Sequence, residues 1–300
     1  MLILLFKRSK YMQNNQLSAG LRARVALEKH FFKPTHSLGQ NFILDDGFLS
    51  LLLDLADVRE SDCVLEIGPG PGVMTSLIAG RAKRVVSVEM DEKLRPVLED
   101  VLSGQENAQI IFADAMRSDL NRFVADYLGT EYRVIANLPY YITADLIQKM
   151  LQTRPLPDSI CVMVQKEAAE RLMSAPGKKN WCALAAMVRC YGDCAVLDDV
   201  PPQRFNPPPH VDSCFIRIDL HPQRLVPEAL EQDLLKMVRC SFHMRRKTLA
   251  NNLKACFGLS QQQAVEVLEG AGLAAQVRGE ALSLEEIARL TEVYCEMFKA

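Results

Sequence analysis

The chain has 300 residues, 49% of them hydrophobic and 24% charged, with 35 Lys and Arg against 37 Asp and Glu for a formal net charge of −2. This length allows one large domain or two ordinary ones with a substantial core, and the composition is that of a soluble globular protein. The total charge neither points to a polyanionic partner nor excludes one, so local charge distribution must decide.

The opening "MLILLFKRSK" is too short to span a membrane, and its apolar-then-basic order is the reverse of a secretory signal. A frayed arm over residues 1–30 is expected instead. From 62 to 164, apolar runs alternate with helical patterns. "CVLEIG" (63–68) precedes a helix at about 72–82, and "RVVSVE" (84–89) precedes one at about 91–103. "AQIIFA" (108–113), "YRVIAN" (132–137) and "SICVMV" (159–164) continue the series. Continuous Val/Ile runs joined by helices predict a parallel sheet covered on both faces. Residues 193–199 and 211–220 read as an antiparallel pair at one edge. After a linker, "HPQRLVPEA" (221–229), four helices are expected at 228–242, 245–257, 260–271 and 283–298, with Gly258 and Gly272 as stops. The expected organisation is therefore an arm (1–30), an α/β domain (31–220) and a smaller helical domain (221–300).

The nine cysteines are scattered without a CxxC pair, mostly inside apolar runs, which argues against a disulfide framework or zinc site and for a reducing cytoplasm. None of the five histidines belongs to a metal-ligand signature, and no metal is implied.

"VLEIGPGPGVMT" (64–75) joins the first strand to a helix. Glycines 68, 70 and 72 let a ligand approach the backbone. An ordinary tight turn is the alternative for such a loop standing alone. Val73 occupies the position where a dinucleotide fingerprint has glycine or alanine. Glu66 and the ExGxGxG pattern fit a nucleoside carrying a sulfonium better than a pyrophosphate. Glu89 ends the second strand, where it can accept both ribose hydroxyls. Asp114 follows the third and can accept from an adenine amino group. Acids at successive strand ends on one sheet edge predict a site for S-adenosylmethionine, with Met90 and Ala115 beside them.

"ANLPYYI" (136–142) follows the fourth strand on the same edge. The amino group of adenine or cytosine is a poor nucleophile because its lone pair is delocalised into the ring. Two acceptors gripping its N–H bonds, the Asn137 side-chain carbonyl and the Leu138 backbone carbonyl, can draw it towards tetrahedral geometry. Pro139 fixes the local backbone, and Tyr140 offers a ring for an unstacked base, worth roughly 1–3 kcal/mol. A strand-end turn with a packing tyrosine is the alternative for this stretch taken alone.

Six landmarks in order resemble the KsgA/RsmA family of small-subunit rRNA adenine dimethyltransferases: "SLGQNFILD" (37–45), "VLEIGPGPGVMT", "ANLPYYIT" (136–143), "MVQKEAAERL" (163–172), "FNPPPHVDS" (205–213) and "FHMRRKTLANNLK" (242–254). The resemblance implies a Rossmann-like class I methyltransferase fold, with a mostly parallel seven-stranded sheet and a helical carboxy-terminal domain. It also implies dimethylation of two adjacent adenosines near the 3′ end of 16S rRNA during small-subunit assembly. Gln40, Asn41 and Ile43 would contact the donor, Asn137 would touch donor and target amine, and Phe205 would stack on the base opposite Tyr140. Departures from the pattern are Trp181, Cys182 and Ala185, where tyrosine, glycine and serine are usual, and His210 in place of lysine.

Between Lys236 and Lys254 lie six Lys or Arg residues and no Asp or Glu, including Arg245, Arg246 and Lys247. This run is expected to bind RNA phosphates, with Lys178 and Lys179 as a second basic spot; a solvated helix face is the alternative. No membrane partner is expected, and the absence of a heptad seam or apolar patch favours a monomer. Two rival functions share these features: an Erm-type methyltransferase acting on 23S rRNA, and a non-catalytic RNA-binding assembly factor.

Overall fold

The strand-like runs pair as their composition requires. A computed structural model describes residues 17–299. It contains a seven-stranded sheet built from β1 (Cys63–Ile67), β2 (Arg84–Glu89), β3 (Ala108–Phe112), β4 (Arg133–Asn137), β5 (Ser159–Gln165), β6 (Gly192–Val200) and β7 (Ser213–Leu220). The strand order is β3-β2-β1-β4-β5-β7-β6. The first five strands pair in parallel, and β7 runs antiparallel to β5. Because β2 and β4 flank β1, the chain reverses its winding direction at β1. The carboxyl ends of β1 and β4 therefore open onto a crevice at the topological switch point.

The intervening helices are α2 (Asp46–Leu55), α3 (Val73–Ala79), α4 (Arg95–Val101), α5 (Leu120–Tyr127), α6 (Thr143–Gln152) and α7 (Lys166–Leu172), preceded by α1 (Ala19–Lys29). The helix expected at 91–103 begins instead as a 3-10 turn at Glu92–Leu94, capped by the Asp91 side chain, and becomes α4 at Arg95.

The frayed arm expected up to residue 30 requires correction over α1; residues 1–16 of that arm lie outside the described residues. Ser18 caps α1 by accepting from the Leu21 N–H, and Ala19, Ala23 and Ala26 are buried. The Gly20 N–H donates to the Asp46 carboxylate, and a Cβ at Gly20 would lie 2.1 Å from the Leu44 carbonyl oxygen. Small side chains make this close packing possible, and a stripe of alanines carries little of the large-apolar periodicity that marks a buried helix.

Contacts divide the chain into two units. One runs to Ala169 and includes Ala195–Asp219; the other comprises Glu170–Cys194 and the residues from Leu220 onward. A single cut at 220 does not reproduce this division. In the second unit α8 (Ala183–Tyr191) packs on α9 (Glu231–Ser241) and α12 (Leu284–Phe298), with α10 (Leu249–Phe257) and α11 (Gln261–Gly270) completing the set. Trp181 is 1% exposed and meets the Phe242 ring edge-on at 5.8 Å. The departure at 181 thus supplies core to the helical unit. The helix expected at 245–257 starts only at Leu249, after an extended Thr248 (φ −65°, ψ 155°), and the Leu249 N–H, with no intrahelical acceptor, donates to the Val277 carbonyl (2.7 Å).

Arg133, at the start of β4, closes the opposite end of the sheet. Its guanidinium donates to the Ala56 and Asp57 carbonyls just beyond α2, to the Ser159 hydroxyl (2.9 Å) and to Asp62 (3.0 Å). A cation at a helix carboxyl end is favourable, and removing it would take a donor from the buried Ala56 carbonyl and the ion-pair partner from Asp62. Arg133→Met is expected to lower stability by about 3 kcal/mol, read as a reduced urea midpoint at unchanged slope.

Candidate active site

The loop after β1 is built on backbone that only glycine adopts readily. Gly68, Gly70 and Gly72 have φ of +71°, +55° and +83°. A Cβ on Gly70 would lie 2.9 Å from the Phe42 ring. The loop thus keeps both its left-handed turns and its close approach to the 39–43 segment only without side chains.

Glu66 is fully buried at the end of β1. Its Oε2 accepts from the Thr75 hydroxyl (2.6 Å) and from the Ser87 hydroxyl (2.7 Å) on the adjacent strand. Its Oε1 is buried without a partner, and Glu66 lines a small cavity with Gly68, Gly70, Ile43 and Asn137. Desolvation pushes the Glu66 carboxyl up to about 7, against the pull of its two hydroxyl donors. Glu89 ends β2 at 6% exposure, accepting from the Gly70 N–H (3.1 Å) and the Asp91 N–H (2.7 Å). Burial raises it to about 6. Asp114, after β3, accepts from the Met116 N–H (2.8 Å) and lies 3.4 Å from Arg117.

Glu89 and Asp114 open onto a cleft whose walls also include Gln40, Asn41, Gly68, Gly70, Met90 and Ala115. Asn137, Leu138, Pro139 and Tyr140 line its other side. Asn137 lies at the junction of this cleft with the Glu66 cavity. Its Nδ2 donates to the Asn41 carbonyl at 2.9 Å, which leaves Oδ1 as a directed acceptor. Gln40 bridges in the same segment, accepting from the Thr35 N–H (2.7 Å) and donating to Asp91 (2.9 Å). The turn after Asn137 is closed by the Pro139 carbonyl, which accepts from the Ile142 N–H and the Thr143 hydroxyl. The Tyr140 hydroxyl shares a 2.5 Å hydrogen bond with Ser213.

Comparison with known proteins identifies this arrangement. Residues 31–294 match the model of the ribosomal RNA adenine dimethylase family. The chain belongs to that family. It is 41% identical over 277 residues to the ribosomal RNA small subunit methyltransferase A of Lachnoclostridium phytofermentans, covering 91% of this chain and 96% of that one. The protein of the same name from Alkaliphilus metalliredigens is 38% identical over 90% of this chain and 95% of its own. In fold, the chain is similar to a dimethyladenosine transferase from Plasmodium falciparum, with a TM-score of 0.68 at 24% identity over 82% of this chain and 94% of that one. It is also similar to the 23S rRNA methyltransferase ErmE, with a TM-score of 0.62 at 24% identity over 84% and 99%. Family membership makes the chain a methyltransferase, and its mostly parallel seven-stranded sheet has the Rossmann-like methyltransferase arrangement.

In this adenine dimethylase-family chain most of the sequence-predicted site residues converge, and the exceptions have physical reasons. Ile43 lines the Glu66 cavity rather than the larger cleft. Phe205 is not in the cleft wall. It is 4% exposed within the core cluster that contains Phe42 and Phe215. Its neighbour Asn206 fixes it there by pairing with the Phe42 backbone in both directions (2.7 and 3.1 Å). Lys178 and Lys179 are exposed in a turn of the helical unit. Arg245, Arg246 and Lys247 are exposed in the turn before α10, not on a helix. The run is also not unopposed, because Arg245 pairs with Glu280 (2.7 Å) from outside it.

Three contributors were missed. Tyr141 is 56% exposed at the cleft, and a Cβ on Gly39 would lie 3.4 Å from its ring. The Lys149 ammonium donates to the Met116 and Ser118 carbonyls (2.7 and 2.6 Å), bracing the loop that carries Asp114. Asp91 holds Gln40. Tyr141 carried a signal in the sequence as the second ring of "ANLPYYI", and Asp91 as an acid just after β2; a mid-helix lysine has none.

The carboxyl of Glu66 titrates higher when folded than the usual value near 4.3, so the folded state binds more protons between those limits and loses stability as pH rises through about 7. Glu66→Gln is therefore expected to be more stable than wild type by about 1–3 kcal/mol at about pH 8, with the difference vanishing near about pH 4. Paired melts across that range would measure it.

Proposed function

We propose that this chain dimethylates the N6 amino groups of two adjacent adenosines near the 3′ end of 16S rRNA in the small ribosomal subunit or its precursor. It would act in the cytoplasm, as a monomer, with S-adenosylmethionine as donor. The observation that carries the reading is Asn137, whose carboxamide is held by the Asn41 carbonyl where the Glu66 cavity meets the larger cleft. The names of the curated relatives support the small-subunit target.

The residues present fit the donor. Glu66 Oε1 is a buried acceptor without a partner, and Gly70 leaves space that a Cβ would close. Glu89 would accept from the ribose hydroxyls using lone pairs not engaged by Gly70 and Asp91, and Asp114 from the adenine amino group. Gln40, Asn41, Gly68, Met90 and Ala115 would enclose it, with Ile43 behind the Glu66 cavity. When bound, S-adenosylmethionine supplies a methyl group made electrophilic by its sulfonium.

The chain's contribution to the reaction is orientation. Asn137 Oδ1 and the Leu138 carbonyl would accept from the two N–H bonds of the target amine. This localises the nitrogen lone pair and directs it into the cleft. Pro139 restricts the backbone that sets the Leu138 carbonyl, and the Tyr140 ring supports the base. A pre-activated donor and fixed geometry remove the need for a strong general base. Asn137→Ala is expected to reduce methyl transfer by at least about 100-fold, measured as labelled methyl incorporated into undermethylated small subunits. The same assay tests the function. N6,N6-dimethyladenosine in small-subunit rRNA alone supports it, whereas label confined to large-subunit rRNA would transfer the chain to the Erm-type reaction. Donor binding without transfer to either would leave an assembly factor.

Below about pH 6 the Glu89 carboxyl is protonated in the free protein and loses acceptor capacity. Affinity for S-adenosylhomocysteine is accordingly expected to fall as pH drops from about 7.5 to about 5. A flat calorimetric profile would remove Glu89 from the binding role.

The exposed Lys178, Lys179, Arg245, Arg246 and Lys247 would position RNA through its phosphates. Arg245 has the smallest free charge of the five because of Glu280. Arg246→Ala and Lys247→Ala should each reduce the salt slope of RNA binding by about 1.

A further inference from the structure

We propose that Ser213 is a positioning residue for Tyr140, fixing the angle at which the tyrosine ring meets the target base. The proposal rests on the base-supporting role given to Tyr140 above.

Ser213 is the first residue of β7 and is fully buried opposite Gln165 of β5. Strand β5 lies between β4 and β7. Tyr140, in the turn after β4, therefore crosses the carboxyl end of β5 to reach the Ser213 hydroxyl at 2.5 Å. A tyrosine ring on a short turn has two side-chain torsions. The turn backbone limits where the ring begins, and a hydrogen bond at its far end limits where it can swing. With both ends held, the plane of the ring is set before a base arrives. Orientation fixed in advance lowers the barrier to reaction, whereas a loose ring could still bind the base but would present its amine over a range of angles.

Ser213 also ends the 205–213 segment, whose Phe205 ring is buried in the core cluster. The same segment is anchored near its start by the two backbone hydrogen bonds between Asn206 and Phe42, beside the donor-contacting residues 40 and 41. Nine residues thus pin the 39–43 segment near one end and the base platform at the other.

The tether is a hydrogen bond between two specific hydroxyls, so a double-mutant cycle isolates it. Turnover on undermethylated small subunits would be measured for wild type, Ser213→Ala, Tyr140→Phe and the double variant, with S-adenosylhomocysteine affinity measured on each. Ser213→Ala is expected to lower kcat about tenfold with KM for the subunit changed less than threefold and donor affinity unchanged. Tyr140→Phe should match it, the double variant should be no worse than either, and Ser213→Thr should recover most of kcat. A Ser213→Ala enzyme within twofold of wild type, or losses that multiply in the double variant, would overturn the proposal. So would a parallel loss of donor affinity, which would indicate a general packing role. If wild type itself transfers no methyl to small subunits, the functional reading falls and this inference falls with it.

Discussion

The hydrogen bond from Asn137 Nδ2 to the Asn41 carbonyl is the constraint on which the site depends. It joins the end of β4 to a segment 96 residues earlier in the chain and decides which end of the carboxamide stays free of a protein partner. A free asparagine side chain presents donor and acceptor with nearly equal ease. Once the donor is engaged, the oxygen is left as an acceptor. The same segment is held independently by Gln40 on Asp91 and by Phe42 on Asn206. The position of the Asn41 carbonyl therefore results from three anchors on different parts of the sheet edge.

Around that bond the sheet gathers carboxylates where burial works against their ionisation. Glu66 and Glu89 are both raised by desolvation, and their partial compensation comes from hydroxyls on α3 and β2 and from backbone N–H groups of nearby loops. Such sites cost stability in the free protein and become favourable when a ligand supplies the missing donors. Glu66 Oε1 is the clearest case, a fully buried acceptor with no donor of its own. The strain-free left-handed turns at Gly68, Gly70 and Gly72 leave the space in which those donors can arrive.

The helical unit follows a different logic. Its interior depends on Trp181 and Phe242 together with the buried faces of α8, α9 and α12. Lys178, Lys179, Arg245, Arg246 and Lys247 lie exposed in turns, whereas Lys236, Arg239 and Lys254 are carried on α9 and α10. Turn-borne cations suit phosphate contacts, because a phosphate requires charge and reach more than a fixed side-chain angle.

How much of this was legible depends on whether the signal is local. Continuous β-branched runs are strands buried on both faces, glycine at a fixed offset marks left-handed backbone, and an acid after each strand falls on one edge once the strands are parallel. The sequence alone therefore determined the parallel sheet, the donor loop, the acids at its edge and the Asn137–Tyr140 stretch. Other features had no local signature. Alanine-rich α1 carries too little apolar bulk to announce that it packs, and nothing local marks the extended Thr248 at which α10 begins. Placing Phe205 in the core, assigning Glu170–Cys194 to the helical unit, and setting Ser213 against Tyr140 were decisions of the tertiary structure. Each depends on which partner is nearest in space, and a side chain's chemistry specifies what it can bond to but not which of several suitable partners the folded chain brings within reach.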